Sequence, residues 1–242
     1  MSTIFDYLKE VTDDSIYDRP FKELDVLALT ELTYLPFGHI VPQGDTTGIP
    51  VRLSDAMELI DRTTDFIVSN QHLQLVDDLA TSKRFKNIKL LNYVDEYDPD
   101  VQKQFAAMTY RLSLDTYLVV FRGTDDTLIG WKEDFHMTYM DHVPAQKRAA
   151  SYLKHVMKEF PKGRFMVAGH SKGGNLAAYA CSYLPEYLFE RVEAIYSYDA
   201  PGLNKAIIET EGYQRTSPNI RRFVPQGSIV GMMLEVPEPT TI

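Results

Sequence analysis

The sequence contains a single cysteine, Cys181, which excludes an intrachain disulfide bond. It also lacks the basic and apolar start of a signal peptide, and no apolar run approaches the roughly 18 residues of a membrane span. Basic residues are outnumbered, because 25 Lys and Arg face 34 Asp and Glu and give a net charge of −9. Nucleic acid binding favours a basic surface, so we expect no nucleic acid partner. These absences predict a cytoplasmic protein without a transmembrane segment.

The hydrophobic pattern changes near residue 85 and divides the 242 residues into two parts. Residues 1–85 are predicted to be mostly helical, with apolar residues at helical spacing over 21–34, 53–68 and 71–80 and a loop at 36–51. Residues 86–242 alternate between strand and helix patterns. Strands are predicted at 104–112, 115–121, 164–168, 192–198, 220–224 and 229–234, and helices at 145–160, 173–184 and 203–210. This alternation predicts a single α/β domain with a mostly parallel central sheet and helices on both faces.

A five-residue motif, Gly169-His170-Ser171-Lys172-Gly173, lies between an apolar strand and a helix with no spare residues for the turn. An abrupt strand-to-helix turn forces the residue at its apex into a strained backbone conformation, and glycines on both sides avoid collisions. The following helix N-terminus would stabilise developing negative charge. The motif therefore predicts a nucleophile elbow with Ser171 as the attacking group. The alternative is an idle serine in a glycine-rich turn.

The segment at 119–124, VVFRGT, ends an earlier strand and predicts a second part of the same site. Ester hydrolysis passes through a tetrahedral oxyanion, which needs at least two preorganised donors. One donor is expected from the backbone N–H of Lys172, and the other from the loop that follows the earlier strand. Thr124 lies in that loop and could add its hydroxyl. We expect the charged side chain of Lys172 to be solvated rather than to attract an anionic substrate.

Three segments together resemble the class 3, or fungal-type, lipase superfamily: VVFRGTDDTLIGWKEDF, GHSKGG and YSYDAPG. The N-terminal stretch is more similar still to a lipase-like family of Gram-positive bacteria whose function is uncharacterised. The resemblance covers nearly the whole chain and implies an α/β-hydrolase fold with hydrolytic activity. It also implies Ser171 as nucleophile, Thr124 and Lys172 as oxyanion-hole residues, and structural roles beside the oxyanion loop for Trp131 and Asp134.

A serine nucleophile needs a base, and the base needs an acid that orients it. In this fold the chain order is serine, then acid, then histidine. Asp199 directly follows the strand after the elbow and is the predicted acid. Class 3 lipases place the acid one strand later, but residues 221–231 contain no carboxylate here. The alternative role for Asp199 is a helix or turn cap, which aspartate favours.

No histidine follows the elbow in the sequence. His136 and His142 could approach the site, although each is more often a packing or surface residue. His170 is expected to point away from the serine hydroxyl and to pack or bond locally. The missing histidine predicts a base in a segment beyond Ile242, so that the core over 86–242 would be incomplete at its C-terminus.

These patterns predict a serine hydrolase of the lipase or esterase type. Its substrate would be a carboxylic ester or thioester, either a small molecule or a lipid, cleaved through an acyl-enzyme on Ser171. Such chemistry uses no metal and no cofactor. The alternative is an inactive pseudo-hydrolase that serves as a binding or regulatory module, and the missing histidine favours it for the chain as given.

Overall fold

A computed structural model describes residues 3–44, 48–62, 70–100, 103–124, 142–234 and 236–242. Within these ranges, eight strands form one sheet and follow one another across it in chain order. The strands are β1 (Val51–Arg52), β2 (Lys89–Asp98), β3 (Lys103–Arg111), β4 (Thr116–Phe121), β5 (Arg164–His170), β6 (Val192–Tyr198), β7 (Ile220–Phe223) and β8 (Thr240–Thr241).

The sheet changes from antiparallel to parallel pairing at β4. Strands β1 to β4 pair antiparallel, whereas β4 to β8 pair parallel. Parallel neighbours need crossover connections, and these connections carry the helices of this half. The carboxyl ends of the parallel strands therefore meet at one edge, which we call the carboxyl edge. There β5 ends at His170 beside the end of β6 at Tyr198.

Helices cover both faces of the sheet. One face carries the N-terminal helices, and the other carries the two long helices that flank β5. The described helices are α1 (Ile4–Val11), α2 (Glu23–Leu32), α3 (Leu53–Leu59), α4 (Asn70–Thr81), α5 (Pro144–Glu159), α6 (Lys172–Ser182), α7 (Glu186–Phe189), α8 (Lys205–Ile208) and α9 (Glu211–Thr216). None of these helices is long and apolar enough to cross a membrane.

The apolar run of β4 from Tyr117 to Phe121 follows from its burial on both sides. Leu118 and Val120 pack with the N-terminal helices, whereas Val119 and Phe121 pack with α5 and α6. Successive side chains of a strand point to opposite faces, so a strand covered twice needs apolar residues at every position. A mixed sheet covered in this way, with a strand-turn-helix at the carboxyl edge of its parallel half, is an α/β-hydrolase fold. The predicted fold class is confirmed.

Helix α2 is held against the sheet by polar bonds inside the core. The side chains of Arg84 and Asp25 are both 0% exposed and form an ion pair at 2.7 Å. The Tyr198 hydroxyl donates a hydrogen bond to the carbonyl oxygen of Glu23 at 2.5 Å. The ion pair joins α2 to the segment before β2, and the Tyr198 bond fixes the start of α2 beside the carboxyl edge.

Several sequence-based assignments are wrong in detail. The strand predicted at 229–234 is replaced by a 3₁₀-helix, Val230–Met232, because the Gly231 N–H bonds to a side chain at the end of β6 rather than to a neighbouring strand. The helix predicted at 53–68 ends at Leu59, because Ile60 adopts extended backbone and is buried in the core.

One further helical prediction is too long. The helix predicted at 203–210 covers only Lys205–Ile208, because the side chain of Asn204 caps it by accepting from the N–H of Ala206. The loop predicted at 36–51 agrees with the structure, since none of its described residues is helical.

Candidate active site

Ser171 lies at the apex of the turn between β5 and α6, half-buried at the carboxyl edge. Its backbone angles are φ 53° and ψ −130°, a region that residues with a Cβ rarely adopt. The Ser171 N–H donates to the carbonyl of Tyr198 at 2.9 Å, and its own carbonyl accepts from the Gly174 N–H at 3.0 Å. The strained apex that the motif predicts is therefore present, and bonds to the sheet and to the helix hold it.

Close backbone contacts explain both glycines of the motif. A Cβ on Gly169 would lie 2.1 Å from the carbonyl carbon of Gly173. A Cβ on Gly173 would lie 2.1 Å from the carbonyl oxygen of Phe121 at the end of β4. Because these neighbours are backbone atoms, they cannot move aside as the end of a flexible side chain could. Helix α6 therefore begins in direct contact with the ends of both β4 and β5.

The loop that follows β4 lies directly beside the elbow. A Cβ on Gly123 would lie only 3.3 Å from the Cβ of Ser171. One residue earlier, the Arg122 guanidinium donates two hydrogen bonds of 3.0 Å to the Asp95 carboxylate in β2. Arg122 thus ties the loop to the sheet, while the missing side chain of Gly123 allows the close approach. Thr124, the next residue, is half-buried.

The two residues predicted to form the oxyanion hole lie next to the contact between Gly123 and Ser171. Thr124 directly follows Gly123, and Lys172 directly follows Ser171 as the first residue of α6. Backbone N–H groups in the first turn of a helix have no intrahelical acceptor, and the helix dipole favours negative charge at that end. The function of the two residues as oxyanion donors remains a prediction.

The side chain of Lys172 is not solvated, and that expectation is wrong. The residue is only 2% exposed. Its ammonium group donates to the carbonyl oxygen of Gln104 at 3.0 Å and to the Oε1 atom of the same residue at 2.7 Å. The ammonium group is therefore bound by Gln104 on β3, so this side chain is not available to attract an anionic substrate. Gln104 lies 68 positions earlier in the sequence, so no local pattern could reveal the pairing.

Asp199 leaves the sheet beside Ser171. The register pairs His170 with Tyr198, so the residues that follow them emerge from neighbouring strand ends. The backbone of Asp199 has a positive φ of 45°, and its N–H donates to the carbonyl of Phe223 at 2.7 Å. The structure thus brings the predicted nucleophile and the predicted acid to adjacent turns.

The Asp199 carboxylate is bound by the turn that contains the 3₁₀-helix. Its Oδ1 atom accepts hydrogen bonds from the Ser228 hydroxyl and from the Gly231 N–H, the latter at 3.1 Å. Among the described residues, none donates to Oδ2. The carboxylate therefore stabilises a turn, as the alternative role allows, and keeps one oxygen that this turn does not use.

Burial shapes the electrostatics next to this carboxylate. The Arg222 guanidinium donates to the carbonyl oxygen of Gly231, in the turn that binds Asp199. Burial lowers the pKa of Arg222, and the negative charge of Asp199 opposes that shift. The turn is thus held from two sides, by a carboxylate and by a buried cation.

No described histidine is hydrogen-bonded to the Ser171 hydroxyl. His142 Nδ1 bonds instead to the hydroxyl of Tyr179 at 3.0 Å. Tyr179 lies eight residues beyond Ser171, roughly 12 Å along α6. His170 Nδ1 bonds to the hydroxyl of Tyr34 at 2.9 Å, which is a contact across 136 positions rather than a local one. Outside the described residues lie His136, Trp131 and Asp134.

Two residues of this region escaped the sequence analysis. Tyr34 lies just after α2, and Ser228 lies in the turn after β7. Tyr34 ends the helical pattern over 21–34 and Ser228 belongs to no predicted element, but neither pattern indicates a site, because only tertiary contacts bring them to the elbow. No local signal could have identified them.

Two cavities lie at the opposite edge of the sheet. Their volumes are about 480 Å³ and about 310 Å³, and both are lined by Ile16, Tyr17, Leu112 and Ser113. Ligands of open α/β sheets bind outside the carboxyl ends of the strands, so we assign the candidate active site to the Ser171 edge. Within the described ranges, no cluster of three or more His, Cys, Asp or Glu residues could hold a metal ion.

Several solved structures similar to this chain are lipases. M37 lipase is 15% identical with a TM-score of 0.49, and the match covers 84% of this chain and 67% of that chain. A fungal lipase–inhibitor complex is 19% identical with a TM-score of 0.46, covering 64% of this chain and 62% of that chain. Lip2 lipase from Yarrowia lipolytica is 12% identical with a TM-score of 0.45, and the match covers 85% of this chain and 70% of that chain. The fold assignment rests on the sheet and the elbow, not on these distant likenesses.

The chain thus spans about two thirds of the length of these lipases. No curated protein matches the sequence. A family model described as Mbeg1-like matches residues 79–242, which include the whole elbow and both neighbouring strands. Since this match covers well over half of the 242 residues, the chain belongs to the Mbeg1-like family.

Proposed function

We propose that this protein is a serine hydrolase that cleaves a carboxylic ester or thioester through an acyl-enzyme on Ser171. The backbone of this residue, with φ 53° and ψ −130°, is the observation that carries the proposal. A residue with a Cβ keeps such a conformation only where its surroundings impose it, and such residues cluster at active sites. Here strand, helix and close glycine contacts impose it on a residue that bears a hydroxyl.

The proposed reaction begins when the Ser171 oxygen attacks the substrate carbonyl carbon and a general base takes the hydroxyl proton. The carbonyl oxygen becomes an oxyanion, to which the Thr124 and Lys172 backbone N–H groups and the Thr124 hydroxyl would donate. The N-terminus of α6 favours the same charge. Collapse of this intermediate breaks the bond from the carbonyl carbon to the leaving oxygen or sulfur, and the alcohol or thiol leaves with the proton that the base took from Ser171. Water then releases the acid from Ser171 by the same route.

Asp199 is the proposed acid of this site. Its Oδ1 atom is held by Ser228 and Gly231, which would fix the carboxylate while Oδ2 accepts from the base. No described residue is assigned as the base, and its identity remains a prediction. The substrate, the cytoplasmic location and the closer resemblance to a lipase-like family of Gram-positive bacteria remain predictions.

A fluorophosphonate probe tests the proposal, because it reacts only with an activated serine. We expect the purified protein to be labelled at Ser171, as located by mass spectrometry of the modified peptide. Ser171→Ala should abolish labelling. Ser182→Ala is the matched control, since Ser182 ends the same helix, is buried and donates its hydroxyl to the carbonyl oxygen of Ala178. This control should be labelled like the wild type.

Hydrolysis of nitrophenyl esters with short and long acyl chains, and of acyl thioesters, then identifies the substrate class. Asp199→Asn should lower kcat with little change in KM, because the acid acts in the chemical step. A folded wild-type protein that neither reacts with the probe nor cleaves any of these substrates would refute the proposal. That result would favour the pseudo-hydrolase instead.

A further inference from the structure

Tyr34 reaches the elbow from the N-terminal segment, outside the 79–242 region that defines the family match. Its hydroxyl is hydrogen-bonded to Nδ1 of His170 at 2.9 Å. A Cβ on Gly123 would lie 2.3 Å from that hydroxyl and 3.3 Å from the Cβ of Ser171. The hydroxyl therefore packs directly on the backbone of the loop that leads to Thr124.

The partner of Tyr34 is itself well fixed. His170 is the last residue of β5, and its backbone carbonyl would lie 2.7 Å from a Cβ on Gly123. The Tyr34 and His170 rings meet edge to face, with their centroids 6.0 Å apart. Glu31, one turn earlier on α2, places a carboxylate oxygen 4.0 Å from the same Nδ1 atom. The end of α2 and the end of β5 thus enclose the Gly123 backbone between them.

We propose that Tyr34 is a positioning residue for the hydrolysis. Its hydroxyl, which is hydrogen-bonded to His170, keeps the loop after β4 at Gly123 in place beside Ser171. This inference rests on the proposed function, because the loop matters through the oxyanion donor that follows it. Oxyanion stabilisation depends on donors fixed at about 3 Å before the reaction starts, so small displacements are costly. The N-terminal helical segment then contributes to the active site in addition to packing on one face of the sheet.

Tyr34→Phe removes the hydroxyl alone and is the first test. We expect fluorophosphonate labelling of Ser171 to slow about tenfold, the effect of losing one well-placed hydrogen bond. The melting temperature should change little, because the ring remains. Tyr17→Phe is the matched control, since Tyr17 is 80% exposed and lies at the opposite edge of the sheet. The control should be labelled at the wild-type rate.

A double-mutant cycle tests the route through His170. His170→Phe keeps an aromatic ring but removes Nδ1, and it should slow labelling by a similar factor. If both changes break the same bond, the double variant should be no slower than either single variant. Losses that multiply in the double variant would refute the route through His170, as would wild-type labelling of Tyr34→Phe.

Hydrogen exchange separates this inference from the proposed function. We expect the backbone amides of Gly123 and Thr124, followed in the peptide over 119–124, to exchange faster in Tyr34→Phe and at the wild-type rate in Tyr17→Phe. If the wild type is not labelled at all, the proposed function fails. Hydrogen exchange of Gly123 and Thr124 then tests by itself whether Tyr34 holds the loop. Unchanged exchange in Tyr34→Phe overturns the positioning role whatever the labelling shows.

Discussion

Replacement of Ser171 by glycine should remove the proposed nucleophile and yet stabilise the protein. The backbone of Ser171, at φ 53° and ψ −130°, is strained for any residue with a Cβ. Glycine adopts this region without steric cost, whereas alanine keeps the Cβ and therefore the strain. The comparison between Ser171→Gly and Ser171→Ala thus isolates the backbone, because both variants lack the hydroxyl.

The expected gain follows from two opposing effects. Strain at one such residue costs about 1–3 kcal/mol. Glycine also loosens the unfolded chain, which offsets about 0.5–1 kcal/mol. Ser171→Gly should therefore exceed Ser171→Ala by about 0.5–2 kcal/mol in the free energy of unfolding. In a chain of this size, that difference raises the melting temperature by about 1–8 °C.

Urea denaturation followed by circular dichroism, together with calorimetry, measures both quantities. Ser182 provides a control with the opposite sign, because it is the last residue of α6, where the backbone is helical. Ser182→Gly should be less stable than Ser182→Ala by about 1 kcal/mol, the usual helix penalty of glycine. If Ser171→Gly is no more stable than Ser171→Ala while the Ser182 pair behaves as expected, the elbow carries no strain and the reasoning is wrong.

Three further predictions concern the core and the elbow. Cys181 is completely buried and burial raises the pKa of its thiol, so the native protein should resist a thiol-specific disulfide reagent; rapid reaction in native buffer would contradict this. Asp25→Ala leaves the Arg84 guanidinium buried without its carboxylate, so urea denaturation should show a loss of about 3–5 kcal/mol, and an unchanged midpoint would disprove the importance of the pair. Gly173→Ala places a Cβ 2.1 Å from the carbonyl oxygen of Phe121, so it should lower the melting temperature and abolish probe labelling; retention of both wild-type values would show that the contact can relax.

Local sequence predicted the parallel half of the fold well. Strand β4 is apolar from Tyr117 to Phe121 because it is covered on both faces, and this pattern needs no knowledge of its partners. The turn at Ser171 was equally predictable. A strand, a helix and the two motif glycines leave only one geometry for the residue between them. Patterns that depend on neighbouring residues in the chain can therefore be recognised from the sequence alone.

Tertiary structure alone decided what surrounds the elbow. The ammonium of Lys172 bonds to Gln104 on β3, although its position in the motif suggested solvent. The turn at 228–231 is bent by the carboxylate of Asp199 instead of continuing as a strand. Tyr34 meets His170 across 136 positions. Periodicity and turn chemistry reflect contacts within a few residues, whereas these hydrogen bonds form only after the sheet brings distant segments to one edge, so the sequence carries no local trace of them.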